Sequence, residues 1–165
     1  LGQHDRRGVR SVKHLIPEFE KMKERYPDGF ESSLVLPCLR RIQEDRGYVA
    51  DSDIEELAGF LGVPQIQIEE VLAVYTQFRR FAVGRWHLQF CHNVSCSMNG
   101  AENVLAHVER KLGIKPGQTT PDGRYTLSTV ECLGSCGTAP MMMVNDGYHE
   151  NLTLTKLDEL LQGLK

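Results

Sequence analysis

The chain has 165 residues, 41% of them hydrophobic and 25% charged, with a formal net charge of −3. That apolar content supports a packed core and argues against disorder. The slightly acidic balance gives no basic surplus for nucleic-acid binding, and no apolar run approaches the roughly 20 residues that cross a bilayer, so no direct membrane insertion is expected. No secretory signal is visible, although Leu1 is not a start methionine. The length suits one domain or two small ones. Five cysteines are an odd number in a chain too long to need disulfide staples, and reduced thiols in a cytosolic-type compartment are the simpler reading.

Residues 1–10, LGQHDRRGVR, read as a flexible or wrapping arm. Residues 11–78 read almost entirely as helix. Leu15, Ile16, Phe19 and Met22 recur at helical spacing before the turn signal Tyr26-Pro27-Asp28-Gly29. A second helix is predicted over Ser32–Arg46, with Leu34, Val35, Leu39 and Ile42 inward and Gly47 ending it. Asp51 or Ser52 can cap a third, which carries Ile54, Leu57, Phe60 and Leu61. Gly62-Val63-Pro64 breaks the chain. A fourth helix presents Ile66, Ile68, Val71, Leu72 and Tyr75. Four short helices with short connections predict a small bundle.

The pattern changes near Val83-Gly84. Trp86–Cys91 alternates as a strand, with Trp86, Leu88 and Phe90 on one face. Gly100–Leu112 reads as a helix through Val104, Leu105, Val108 and Leu112, and Gly113–Gly123, rich in proline and glycine, as loop. Tyr125–Glu131 is a second predicted strand, ending at Cys132. Pro140–Val144 is a third, which Asn145-Asp146-Gly147 turns into a short fourth, His149–Leu152. A last helix is expected over Leu154–Leu161, capped by Thr153 or Thr155. The fold class is therefore α+β: a helical bundle over 11–80, then a compact α/β layer over 81–165.

Four of the cysteines form two tight pairs, Cys91/Cys96 and Cys132/Cys136, with 35 residues between the pairs. Four thiolates brought together by a fold can hold an iron–sulfur cluster or a structural zinc. Zinc knuckles favour two residues between cysteines, whereas the gaps here are four and three. The wider spacing favours a larger object such as an Fe₂S₂ core, and zinc remains the alternative. A Cys-x-x-Cys redox dithiol is absent. Both pairs begin at the C-terminal ends of predicted strands, where loops leaving a sheet commonly build a site.

The residues around the cysteines carry a resemblance. Gly84-Arg85, the Cys91-x₄-Cys96 loop, Asn99-Gly100, Leu112–Leu127, Cys132-Leu-Gly-Ser-Cys136, Ala139-Pro140-Met141-Met142 and Asn145-Asp146 resemble the thioredoxin-like [2Fe–2S] ferredoxin family. That family includes a small subunit of respiratory NADH:quinone oxidoreductase (complex I). In the first half, Leu36–Gln43, Gly47-Tyr48-Val49 and Val74–Phe78 match as well, so the likeness covers about residues 30–165. It implies a helical region that docks a partner, then a thioredoxin-like domain with one [2Fe–2S] cluster on Cys91, Cys96, Cys132 and Cys136. It also implies a partner subunit that holds FMN and binds NADH, with further iron–sulfur subunits beyond. The location implied is cytoplasmic, or the peripheral arm on the cytoplasmic face of the inner membrane (the matrix side in a mitochondrion). A soluble NAD(P)-linked hydrogenase or formate dehydrogenase, of electron-bifurcating type or not, uses the same kind of subunit and is the second host implied. A zinc-stabilised interaction module is the reading from another class.

No G-x-G-x-x-G turn and no G-x-x-x-x-G-K-[ST] loop occurs, so dinucleotide binding falls to another chain and an electron relay has no substrate site of its own. Gly100, Gly134 and Gly137 suit either close backbone approach to a cluster or ordinary turns. Pro140 is a candidate cis-proline. Cys38 and Met141–Met143 read as core, His92 as a solvated loop histidine, and Arg79, Arg80 and Arg85 as solvated charges that could face a partner.

Overall fold

The computed structural model describes residues 11–164, and the arm expected over residues 1–10 lies outside the described residues. The chain divides into two compact units between Ala82 and Val83.

The first unit is helical. A 3₁₀ turn over Val12–Leu15, capped by the Ser11 side chain, leads into α1 (Ile16–Lys23). A second 3₁₀ turn, Glu31–Leu34, leads into α2 (Val35–Arg46), followed by α3 (Asp51–Leu61) and α4 (Gln65–Val74). Gly47 ends α2 at φ 89°, a left-handed conformation that glycine adopts without a Cβ penalty. Leu15, Phe19, Leu39, Ile42, Leu57 and Ile68 form a buried core. Each such side chain contributes about 1.5–3 kcal/mol by leaving water. Cys38 is wholly inside it, and burial pushes its thiol up to about 12.

Three expectations for this unit are corrected. Ala50, not Asp51 or Ser52, is the N-cap of α3. The carboxylate of Asp53, two residues inside the helix, accepts the Ala50 N–H at 2.8 Å and the Arg46 guanidinium at 2.9 Å. Desolvation nevertheless raises the Asp53 pKa. Ile66 and Tyr75 do not face inward: both are exposed, and Tyr75 lies beyond the last turn of α4. Helical spacing fixes a stripe but not its edges, and Ile68 and Leu72 alone bury deeply on α4. Arg80 is not a free solvated charge. It bonds Asp51 and Glu69 at 2.5 Å each, joining the start of α3 to α4.

The second unit contains β1 (Trp86–Cys91), α5 (Val94–Met98), α6 (Ala101–Leu112), β2 (Gln118–Thr119) and β3 (Tyr125–Val130). β4 (Met142–Val144), β5 (Gly147–His149) and α7 (Leu154–Gly163) complete it. The five-stranded sheet has the order β2-β3-β1-β4-β5. Central β1 runs parallel to β3 and antiparallel to β4, with Leu88 opposite both Leu127 and Val144. Leu88, Phe90, Leu127 and Met142 pack with Val104 and Val108 of α6 and Leu157 and Leu161 of α7. Gly84 passes so close to the chain before β3 that a Cβ would stand 2.8 Å from the Gly123 carbonyl oxygen.

Strand limits differ from the sequence reading. Gln118–Thr119, expected as loop, pairs with β3 as an edge strand too short to show alternation. The third strand begins at Met142 rather than Pro140, whose peptide bond with Ala139 is cis. The fourth is Gly147–His149, because only Asn145 and Asp146 are spent on the turn and Val144 pairs directly with Gly147. Thr153 caps α7, accepting the Lys156 N–H.

Candidate functional site

The first cysteine pair is held by regular structure. Cys91 is the last residue of β1, and its N–H donates to the Met141 carbonyl at 3.4 Å. Asn93 then caps α5, accepting the Val94 N–H at 2.7 Å, and Cys96 sits within that helix. Ser97 Oγ donates back to the His92 carbonyl at 3.0 Å, and Asn99 Nδ2 to the Ser95 carbonyl at 2.7 Å. Both thiols are buried, packed with Ala101, Met141, Leu133 and Ala139. Met141 and Met142 are core residues, as their sequence suggested, but they serve different clusters of it.

The second pair lies outside the α-helices and strands: Cys132 is on irregular chain, and Cys136 opens a 3₁₀ turn over Cys136–Thr138. β3 ends at Val130, and Cys132 and Cys136 are both exposed. Gly134 adopts φ 76°, and its N–H donates to Cys132 Sγ at 3.3 Å. Of the three glycines singled out by sequence, Gly134 thus brings a backbone donor to a cysteine sulfur. Gly100 is the left-handed N-cap of α6, and Gly137 has ordinary φ with open space around it.

The loops converge. Ser95 Oγ donates to the Cys136 carbonyl at 3.0 Å, and Cys91 Sγ lies 3.9 Å from the Glu131 carbonyl. The Cys96 thiol is shifted up, first by burial and then by Cys91, with the nearby Cys136 adding to the rise. A backbone hydrogen bond from Met141 opposes that rise by favouring the thiolate. Cys96 therefore senses members of both pairs. His92, half-exposed, lies 3.5 Å from Glu131 and bridges the same two loops. Among the described residues no three His, Cys, Asp or Glu side chains group as ligands of one ion. A two-iron core takes two thiolates at each iron, so its pairs need not meet at a point. Free thiols, an amide aimed at sulfur and an apolar wall of Met141, Ala101 and Leu133 fit such a core chemically.

Sequence reasoning missed two parts. α5 has five residues, too few for periodicity, and its only advance signal is Asn93 before it. The other is Glu150, whose carboxylate accepts hydrogen bonds from Ser135 and Thr138 of the second cysteine loop. A glutamate after a strand carries no sequence signal for that role. Arg85, offered as a partner-facing charge, has its guanidinium 5.4 Å from the Trp86 ring.

Comparison with known proteins adds to this geometry. The sequence profile of the thioredoxin-like [2Fe–2S] ferredoxin family matches residues 19–165. An NADH-quinone oxidoreductase subunit of Rhizobium meliloti is 46% identical over 148 residues, 90% of this chain and 87% of that protein. The corresponding NADH-quinone oxidoreductase subunit of Escherichia coli K12 is 42% identical over 130 residues, 79% of this chain and 78% of that one. Among solved structures, an NAD⁺-reducing [NiFe]-hydrogenase in the air-oxidised state aligns with a TM-score of 0.67 at 22% identity. The alignment covers 79% of this chain and 22% of the hydrogenase chain, a likeness of fold.

Proposed function

The chain belongs to the thioredoxin-like [2Fe–2S] ferredoxin family, and from that premise we propose that it is the electron-relay subunit of an NADH:quinone oxidoreductase, holding one [2Fe–2S] cluster on Cys91, Cys96, Cys132 and Cys136. The observation that carries this reading is the convergence of the two cysteine loops, tied by Ser95 to Cys136 and felt by the Cys96 thiol. Relatives over most of the chain's length are subunits of NADH-quinone oxidoreductase, which supports the host.

A [2Fe–2S] cluster supplies one-electron exchange, matched to a flavin that accepts hydride and releases electrons singly. FMN and NADH belong, on this proposal, to a partner subunit, with further iron–sulfur subunits downstream and the assembly in a peripheral arm. The chain's own residues hold and screen. Met141, Ala101 and Leu133 keep water from the Cys91/Cys96 side. The Gly134 N–H offsets negative charge on the Cys132 sulfur, which favours reduction. The helical residues 11–80 dock the partner, and residues 81–165 carry the cluster. No helix among the described residues is long and apolar enough to cross a membrane.

The fold likeness to an NAD⁺-reducing hydrogenase supports a second host, a soluble complex with the same relay. Purifying the protein with its partners and identifying them separates the two. Membrane-arm subunits support the oxidoreductase, whereas a nickel–iron or molybdenum subunit rules it out. A colourless preparation containing zinc would leave the interaction-module reading instead.

A further inference from the structure

The segment from β5 to α7 grips the second cysteine loop at four points. Tyr148 Oη donates to the Leu133 carbonyl at 3.0 Å. The Asn151 N–H donates to the Thr138 carbonyl at 2.7 Å. Between them, the Glu150 carboxylate accepts from Thr138 Oγ1 at 2.7 Å and from Ser135 Oγ. Lys156 Nζ fixes the Glu150 backbone, donating to its carbonyl at 2.5 Å. The Ser135 and Thr138 hydroxyls also touch each other at 2.7 Å, so one carboxylate oxygen organises both. Those hydrogen bonds, Ser135 first, hold the Glu150 carboxyl below its usual range, so it is ionised. Ser135 is the neighbour of Cys136, on a loop whose exposed cysteines have no α-helix or strand to hold them, only a 3₁₀ turn over Cys136–Thr138. An apolar residue at this position would leave the Ser135 and Thr138 hydroxyls without their shared acceptor.

We propose that Glu150 is a positioning residue for the second ligand pair: through Ser135 and Thr138 it fixes the Cys132–Cys136 loop for cluster binding and sets a negative charge beside it. The inference rests on reading those cysteines as cluster ligands. Two consequences separate. Fixing the loop needs an acceptor oxygen, which glutamine supplies as well. The charge is lost in both glutamine and alanine. A negative charge near the cluster disfavours reduction, because reduction adds another.

The test uses the full-length, cluster-loaded protein as wild type, E150A and E150Q, with folding checked by far-UV circular dichroism. Iron loss to a chelator and the midpoint potential followed by EPR are the readouts. E150A is expected to lose iron about tenfold faster, the scale on which partners of metal ligands act. E150Q is expected to stay near the wild-type rate, and both variants to shift the potential upward. If E150A does not fold, S135A replaces it as the loosened variant, with the same faster loss expected. Iron loss at the wild-type rate in the loosened variant, or potentials unmoved in both Glu150 variants, overturns the proposal. A wild-type protein without iron overturns the functional reading beneath it, and that failure is seen before any variant is compared.

Discussion

Cys91 and Cys96 stand at the end of a central strand and on a capped helix, 3% and 2% exposed, whereas Cys132 and Cys136 ride an exposed loop held by side-chain hydrogen bonds. The first pair is fixed by the sheet ladder and the core, so its geometry is as stable as the unit itself. The second pair depends on local bonds that open without unfolding the domain. On the proposed reading the two sides divide the labour: one anchors the cluster, and the other exposes it where a partner can approach.

The largest effect that sharpens this contrast is ligand replacement. C91S and C96S are expected to leave no visible iron–sulfur spectrum. C132S and C136S are expected to keep a weakened, shifted one, since a loop can move to let a shorter serine oxygen reach the iron. Iron and sulfide per chain check this, and equal loss in all four variants breaks the asymmetry.

Next come the walls. M141A removes a buried side chain from behind Cys91 and Cys96 and should cost about 2–5 kcal/mol in urea unfolding. L133A, partly buried beside the second pair, should cost roughly half that or less. Thiol reactivity should follow in the protein freed of metal. Cys132 and Cys136 are alkylated first, Cys91 and Cys96 more slowly, and Cys38 last, because it is buried and its thiol is pushed up to about 12. Peptide mapping over time gives the order, and early labelling of Cys96 would contradict it.

The smallest effect lies away from both pairs. Asp158 of α7 accepts hydrogen bonds from Lys111 and His107 of α6 at 2.6 and 2.9 Å, and these lower its pKa from 3.8. Its contribution is therefore present above pH 3.8 and lost as pH falls through the lower folded value. Wild type should exceed D158N slightly in urea stability near neutrality and match it in strong acid, with cluster content the same in both. A change in cluster content would mean the two cysteine loops are coupled to the α6–α7 contact.

Much of the molecule was legible in the sequence, for identifiable reasons. Apolar spacing located α1, α2, α3 and α6, because these helices bury one face. Sequence alternation located β1 and β3, although β1 is buried on both faces, with His87 and Gln89 as well as Leu88 and Phe90 inside. The same logic misplaced Ile66 and Tyr75, since a stripe in sequence does not say how much of it a neighbour covers. The four cysteines stood out by spacing and by resemblance. What stayed hidden was how they are held. α5 has five residues, barely more than one turn, β2 has two, and the bond from Ser135 to Glu150 joins positions 15 residues apart across a turn that only the fold closes.

The assignment of a [2Fe–2S] cluster to the four paired cysteines is tested most directly by iron and acid-labile sulfide analysis of the anaerobically purified protein, with EPR after reduction. About two irons and two sulfides per chain and a rhombic signal are expected, absent from C91S and C96S. A colourless protein carrying zinc, with no EPR signal on reduction, would contradict it.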